Sequence, residues 1–123
     1  YEDQFLTGRQ NDLPLLIREH RNAIAYYNLV KDVFVNIFDH FPDPNFIEAN
    51  LALDIEKSIK ENVYENETLI IDWQTNIEIE KKIINSLDDM LYEKQQEYNT
   101  VFSFDKIDEL IEELLKIAKL KYV

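Results

Sequence analysis

The chain of 123 residues is about one domain's worth of polypeptide, and a composition 46% hydrophobic and 12% aromatic is enough to build a core. Its one glycine, Gly8, excludes the Gly-rich phosphate loops and dinucleotide fingerprints, and the lack of cysteine excludes disulfides, thiolate nucleophiles, cysteine zinc sites and iron-sulfur clusters. A formal charge of -12 predicts a soluble protein that repels nucleic acid on average, so any DNA contact is expected to be local.

No apolar run reaches the ~18 residues of a membrane span, and no basic stretch followed by an apolar one opens the chain. A cytosolic protein with no membrane partner is expected. Residues 1 to 12 are polar and unpatterned, which predicts a poorly ordered linker from a longer parent chain.

From Pro14 to about Phe38 the apolar residues Ile17, Ile24, Tyr27, Val30, Phe34 and Ile37, continuing to Phe41, recur in steps of three, four and seven, which predicts a long amphipathic helix. Asp12 offers its N-cap, Pro14 suits its first turn, and Phe41-Pro42-Asp43-Pro44 stops it. A second helix is predicted from about Asn45 to Asn62 on Phe46, Ala49, Leu53, Ile55 and Ile59, with Val63 closing the stripe.

Tyr64 to Gln74 breaks the pattern and reads as an extended segment, too short for a sheet, docked on the core. Thr75-Asn76-Ile77-Glu78 then has the capping-box form that starts a third helix, whose apolar face is Ile79, Ile83, Leu87, Met90 or Leu91, and Tyr98. Ser103 caps a fourth, which buries Ile107, Leu110, Ile111, Leu114, Leu115 and Ala118. The expectation is an all-α single domain over residues 1–123.

Charge is uneven. Residues 64 to 100 hold 9 acids against 3 bases, which makes the third helix the acidic pole. The first helix holds all three arginines, Arg9, Arg18 and Arg21, near its start, while Lys116, Lys119 and Lys121 crowd the end of the last, where a helix dipole also favours cations. Dipole complementation is the plainer account of those lysines, and a phosphate-binding cluster is the sharper one.

Catalytic chemistry finds little support. No Gly-x-Ser-x-Gly elbow is present to build a nucleophile around His20 or His40. His40, between Asp39 and Asp43, has a weak resemblance to a metal ligand. Pro42-Asp43 followed by Glu80-Lys81-Lys82 mimics the order of metal-dependent nuclease motifs, but that E-x-K falls inside a helix where the chemistry needs adjacent strands. Asp88, Asp89 and Glu93 carry enough charge for a divalent cation, though neighbouring helical carboxylates usually form a solvated face. Trp73 is expected to plug the core with its indole N–H on a carbonyl, or else to anchor a partner.

Four segments carry a resemblance. They are His20-Arg21-Asn22-Ala23-Ile24-Ala25-Tyr26-Tyr27, then Leu53-Asp54-Ile55-Glu56-Lys57-Ser58-Ile59-Lys60-Glu61, then Ile71-Asp72-Trp73-Gln74-Thr75-Asn76, and last Leu87-Asp88-Asp89-Met90-Leu91-Tyr92. In this order they resemble the C-terminal region of type I restriction enzyme motor (HsdR) subunits, most nearly the IC-type branch, over about residues 18 to 122. The R-x-A-x-A-Y-Y, D-W-x-x-N and D-D-x-L-Y elements are the most telling.

The resemblance implies a bacterial, cytoplasmic parent subunit with a nuclease domain and two helicase-like domains that use ATP and Mg2+ to translocate and cleave DNA. It also implies that a helical region outside those domains docks on the methyltransferase and specificity subunits. This chain would then be non-catalytic, with no cofactor or metal of its own. Its candidate partner interface is Trp73, Asp88, Asp89 and Glu93, suited to a basic protein surface. Its candidate duplex-DNA contacts are Arg18, Arg21, Lys116, Lys119 and Lys121, since lysine and arginine release counterions from phosphates. A DNA-binding module acting on the duplex backbone is the alternative function.

Overall fold

A computed structural model describes residues 17–123. The Asp12–Pro14 helix start and the linker expected over residues 1 to 12 lie outside the described residues, as does Arg9.

The described chain is all-α, with four helices joined by short connections. Helix α1 spans Arg21–Val33, α2 Pro44–Val63, α3 Ile77–Glu97 and α4 Phe104–Lys121. Between α2 and α3, β1 (Tyr64–Glu65) pairs antiparallel with β2 (Thr68–Leu69), and a single 3-10 turn covers Trp73–Thr75.

Three of these four helices, α2, α3 and α4, start on a side-chain cap, and α1 has none. The Asp43 carboxylate accepts from the Phe46 N–H at 3.2 Å, with Pro44 in the first turn where a missing N–H costs nothing. The Ser103 hydroxyl accepts from the Lys106 N–H at 3.2 Å.

Three expectations are corrected. The capping box at Thr75 does not form: Asn76 is the N-cap, its side chain accepting from the N–H groups of Glu78 at 3.0 Å and Ile79 at 3.3 Å. Asn competes as well as Thr for a cap, and its position one residue later decides the start. The first helix does not reach Phe38: Val33 is its last residue, and Asn36 takes a positive φ of 66°. Phe34 and Phe38 are nonetheless buried, because turns closed by Ile37 N–H on the Phe34 carbonyl and Phe41 N–H on the Phe38 carbonyl keep both rings inward. Helical spacing therefore picked out Phe34 correctly but took Ile37 and Phe41, which are only half-buried, in place of the buried Phe38, because the backbone leaves the helix at Val33. Finally, the Tyr64 to Gln74 segment holds a two-residue ladder, made possible by positive φ at both Asn66 and Glu67, the backbone requirement of a type I′ hairpin turn.

The helices run up and down around one core. Lys31 of α1 meets Glu48 near the start of α2, while His20, just before α1, faces Glu56 further along α2. Lys94 near the end of α3 meets Asp54 of α2, and Asn62 at the end of α2 reaches Ser86. Lys119 near the end of α4 meets Glu80 at the start of α3. Phe34 beyond α1 stacks on Phe102 just before α4. Successive helices are thus antiparallel, and α4 packs back on α1 to close the ring.

The middle of the bundle is aliphatic, with Val30, Leu51, Ile55, Ile59, Ile83, Leu87, Leu91, Leu110 and Leu114 all fully buried. Each end carries an aromatic plug. At one, Phe34 and Phe102 stack with centroids 4.5 Å apart, and Phe38 meets Phe102 and Tyr98 edge to face. At the other sit Trp73, Tyr26 and Tyr122. Among the described residues no helix is long and apolar enough to cross a membrane.

Candidate functional site

The three most telling sequence elements have different fates. Ala23, Tyr26 and Tyr27 of the first are buried, and the Tyr27 hydroxyl donates to Asn45 Oδ1 at 3.3 Å. In the second, Trp73 is 1% exposed and its indole N–H donates to the Tyr122 carbonyl at 2.7 Å, while Asn76 caps α3. Gln74 donates to the same carbonyl at 2.9 Å. Together they satisfy a helix C-terminus and tie α4 to the α2–α3 connection.

Trp73 is therefore a core residue, as the plainer expectation had it. It presents no ring surface to a partner, and the interface role set against it is corrected by its burial.

The third element differs. Leu91 is buried, but Asp88, Asp89 and Tyr92 point outward, with Tyr92 60% exposed. They line one wall of an open cavity of about 420 Å³, within the roughly 300–1,000 Å³ typical of ligand pockets. The floor is Phe102 and Ile107, both buried. The other wall comes from Val101, 82% exposed, Phe104, 86% exposed, and Asp108.

The local sequence explains this shape. α3 ends through Asn99 at a positive φ of 49°, which turns the chain back. Gln95 then clamps the return: its side-chain oxygen accepts from the Phe102 N–H at 2.7 Å and its carbonyl from the Thr100 N–H at 3.0 Å. Phe102 is drawn into the aromatic plug, while Val101 before it and Phe104, the first residue of α4 after the Ser103 cap, are turned out.

The rim is electrostatically uncompensated. Among the described residues, Asp88, Asp89, Glu93 and Asp108 have no ion pair, although Lys94, Lys106 and Lys116 on the same helices are paired with other carboxylates. Glu93 stands one turn beyond Asp89 and does not line the cavity. Val101, Phe104 and Asp108 were missed by sequence reasoning. The one signal available was an apolar Val-Phe-Ser-Phe run at a helix entrance, which does not say which of its residues face out.

The basic candidates gather only partly. Tyr122 at the end of α4 lies against Asn22 and Tyr26 of α1, which brings the Lys121 end of α4 to the Arg21 end of α1. Arg18, Arg21 and Lys121 are exposed. Lys116 is committed to Glu113 at 3.1 Å and Glu112 at 3.9 Å, and Lys119 to Glu80 at 3.6 Å.

The nuclease-like pair is not assembled. Asp43 caps α2 and Glu80 begins α3, at opposite ends of antiparallel helices, so ~30 Å of helix separates them at 1.5 Å per residue. His40 is exposed with its ring against Phe41. Among the described residues no group of three or more His, Cys, Asp or Glu is placed to hold a metal ion.

A second polar cluster is built into the fold. Lys31 Nζ donates to Asn45 Oδ1 at 2.8 Å and to the buried Glu48 at 3.2 Å. Burial pushes the Glu48 carboxyl up more than Lys31 pulls it down. Burial lowers the Lys31 ammonium, and Glu48 with the Tyr27 phenol outweighs this, so its net direction is upward. This pins α1 to α2.

Comparisons with family models, curated proteins and solved structures give no match for this chain.

Proposed function

We propose that this chain is a non-catalytic docking module from the C-terminal region of the DNA-translocating, DNA-cleaving motor subunit of a type I restriction-modification system, acting in the bacterial cytoplasm. It holds that subunit to the methyltransferase and specificity subunits. ATP and Mg2+ act elsewhere in the parent subunit. The observation that carries this reading is the third sequence element: Asp88, Asp89 and Tyr92 are exposed and take no part in the core, whereas the aromatic residues of the other two, Tyr26, Tyr27 and Trp73, are buried. Surface carboxylates beside exposed apolar rings suit an interface, where aromatic side chains give affinity and charge sets orientation.

The test is assembly of the motor subunit, with and without this region, onto its methyltransferase core, followed by analytical ultracentrifugation in the presence and absence of DNA. Loss of assembly without DNA is expected, and charge reversal by D88K with D89K should weaken association tenfold or more. Normal assembly of the truncated subunit sinks the reading.

A specific observation favours one alternative: the start of α1 and the end of α4 meet, which places Arg18, Arg21 and Lys121 at one end of the bundle. A duplex-DNA backbone contact there predicts affinity that falls steeply with salt and a salt slope reduced by R21Q and K121Q. The ion pairs already made by Lys116 and Lys119 make this contact the smaller contribution.

A further inference from the structure

Tyr92, Val101 and Phe104 form a contiguous exposed apolar surface around one cavity, and Asp88 and Asp89 on one wall face Asp108 on the other. Exposed large apolar side chains scattered singly need no explanation, whereas these three share one cavity with three carboxylates, an apolar seat with a charged rim. We propose that this groove binds a basic amphipathic helix of a protein partner, with its apolar residues seated between Tyr92 and Phe104 and its lysines or arginines against the aspartates. The proposal rests on the docking reading above and gives the partner its chemistry.

Three features select that occupant. The cavity lies between two antiparallel helices, the C-terminal half of α3 and the N-terminal half of α4, which is the geometry of helix-in-groove recognition; the short ladder that could add a strand lies beyond the other end of α3. Carboxylates without ion pairs stand on both walls, so a cationic segment gains attraction from either side. A second copy of this chain would bring the same carboxylates and a formal charge of -12, so it is repelled, and duplex DNA is repelled for the same reason.

The experiment is a random-peptide display selection on the 123-residue chain, followed by fluorescence anisotropy of the enriched peptides. Enrichment of sequences with apolar residues at three- and four-residue spacing flanked by Lys or Arg is expected. Their affinity should fall tenfold or more in F104A and in the D88N/D89N/D108N triple variant, and should weaken with added salt. Thermal melts are expected to show both variants folded, since none of the altered side chains is buried.

Neutral or acidic enriched peptides, binding indifferent to these substitutions, or no enrichment would each overturn the proposal. The outcome is separable from the assembly test. Groove-dependent basic peptides with normal assembly of a truncated motor subunit would leave the groove standing and remove the restriction-enzyme reading. Failed selection with lost assembly would move the docking to another surface.

Discussion

Among the described residues, five other than glycine hold positive φ: Asn36, Asn66, Glu67, Asp72 and Asn99. Asn and Asp tolerate the left-handed region because their short polar side chains bond locally, and with only Gly8 in the sequence they do work that glycine does elsewhere. Glu67, at φ 66°, has no such excuse. A residue of its type costs ~1–2 kcal/mol in that region, and glycine gives back ~0.5–1 kcal/mol through its freer unfolded chain. Glu67→Gly is therefore expected to stabilise the fold by roughly 0.5–1 kcal/mol, read as a raised midpoint in urea denaturation; a lowered midpoint would mean the hairpin does not carry this strain.

At the scale of the element, side-chain caps mark the starts of α2, α3 and α4. Ser103 matters most, because the turn before it both buries Phe102 and turns Phe104 out. Ser103→Ala removes the hydroxyl that accepts from Lys106 and should cost ~1 kcal/mol. It should also weaken any ligand of the groove, since the α4 wall is then less firmly held. Matching urea midpoints for the variant and the parent chain would show that Gln95 alone fixes this corner. The Asp54–Lys94–Glu97 cluster ties α2 to α3, yet its partly exposed members suggest a contribution of under ~1 kcal/mol. How far such elements were legible follows from these caps: Ser103 stood out in the sequence, Asp43 was read there only as part of the stop to the first helix, and the choice of Asn76 over Thr75 turned on which side chain actually reached the first free N–H groups.

At the scale of the whole molecule, the buried phenols and paired lysines couple folding to alkaline pH. Burial pushes Tyr26 far above its ordinary value of 10.0, with Tyr122 adding to the shift, and burial likewise raises Tyr122, Tyr27 and Tyr98. Lys94 is also raised: burial lowers it, but the hydrogen bonds it donates to Glu97 and Asp54 outweigh that. A tyrosine raised in the folded state keeps its proton after the unfolded chain has lost its own, and a lysine raised in the folded state does the same. Both contributions are complete below about pH 10 and drain away as pH rises through the folded values. A steep loss of thermal stability above pH 10 is expected, partly relieved in Tyr26→Phe, whose hydroxyl is buried without a hydrogen-bond partner among the described residues. A melting temperature flat from pH 9 to 11.5 would contradict this.

The sequence by itself determined the four helices of the described residues, much of the core and the acidic character of α3, because amphipathic periodicity and charge are properties of neighbours along the chain; it did not reach Phe38, Leu51, Phe102 or Tyr122, and it put Phe46, which is 51% exposed, on the buried face. It also marked Asp88 and Asp89. Only the tertiary structure decided that Trp73 is spent inside the fold on the Tyr122 carbonyl, 49 residues away, and that Lys119 is neutralised by Glu80. It alone brought Tyr92, Val101, Phe104 and Asp108 to the same cavity as those aspartates. A site assembled across two helices depends on how the chain turns between them, and that turn is set by Asn99, Gln95 and the burial of Phe102 acting together.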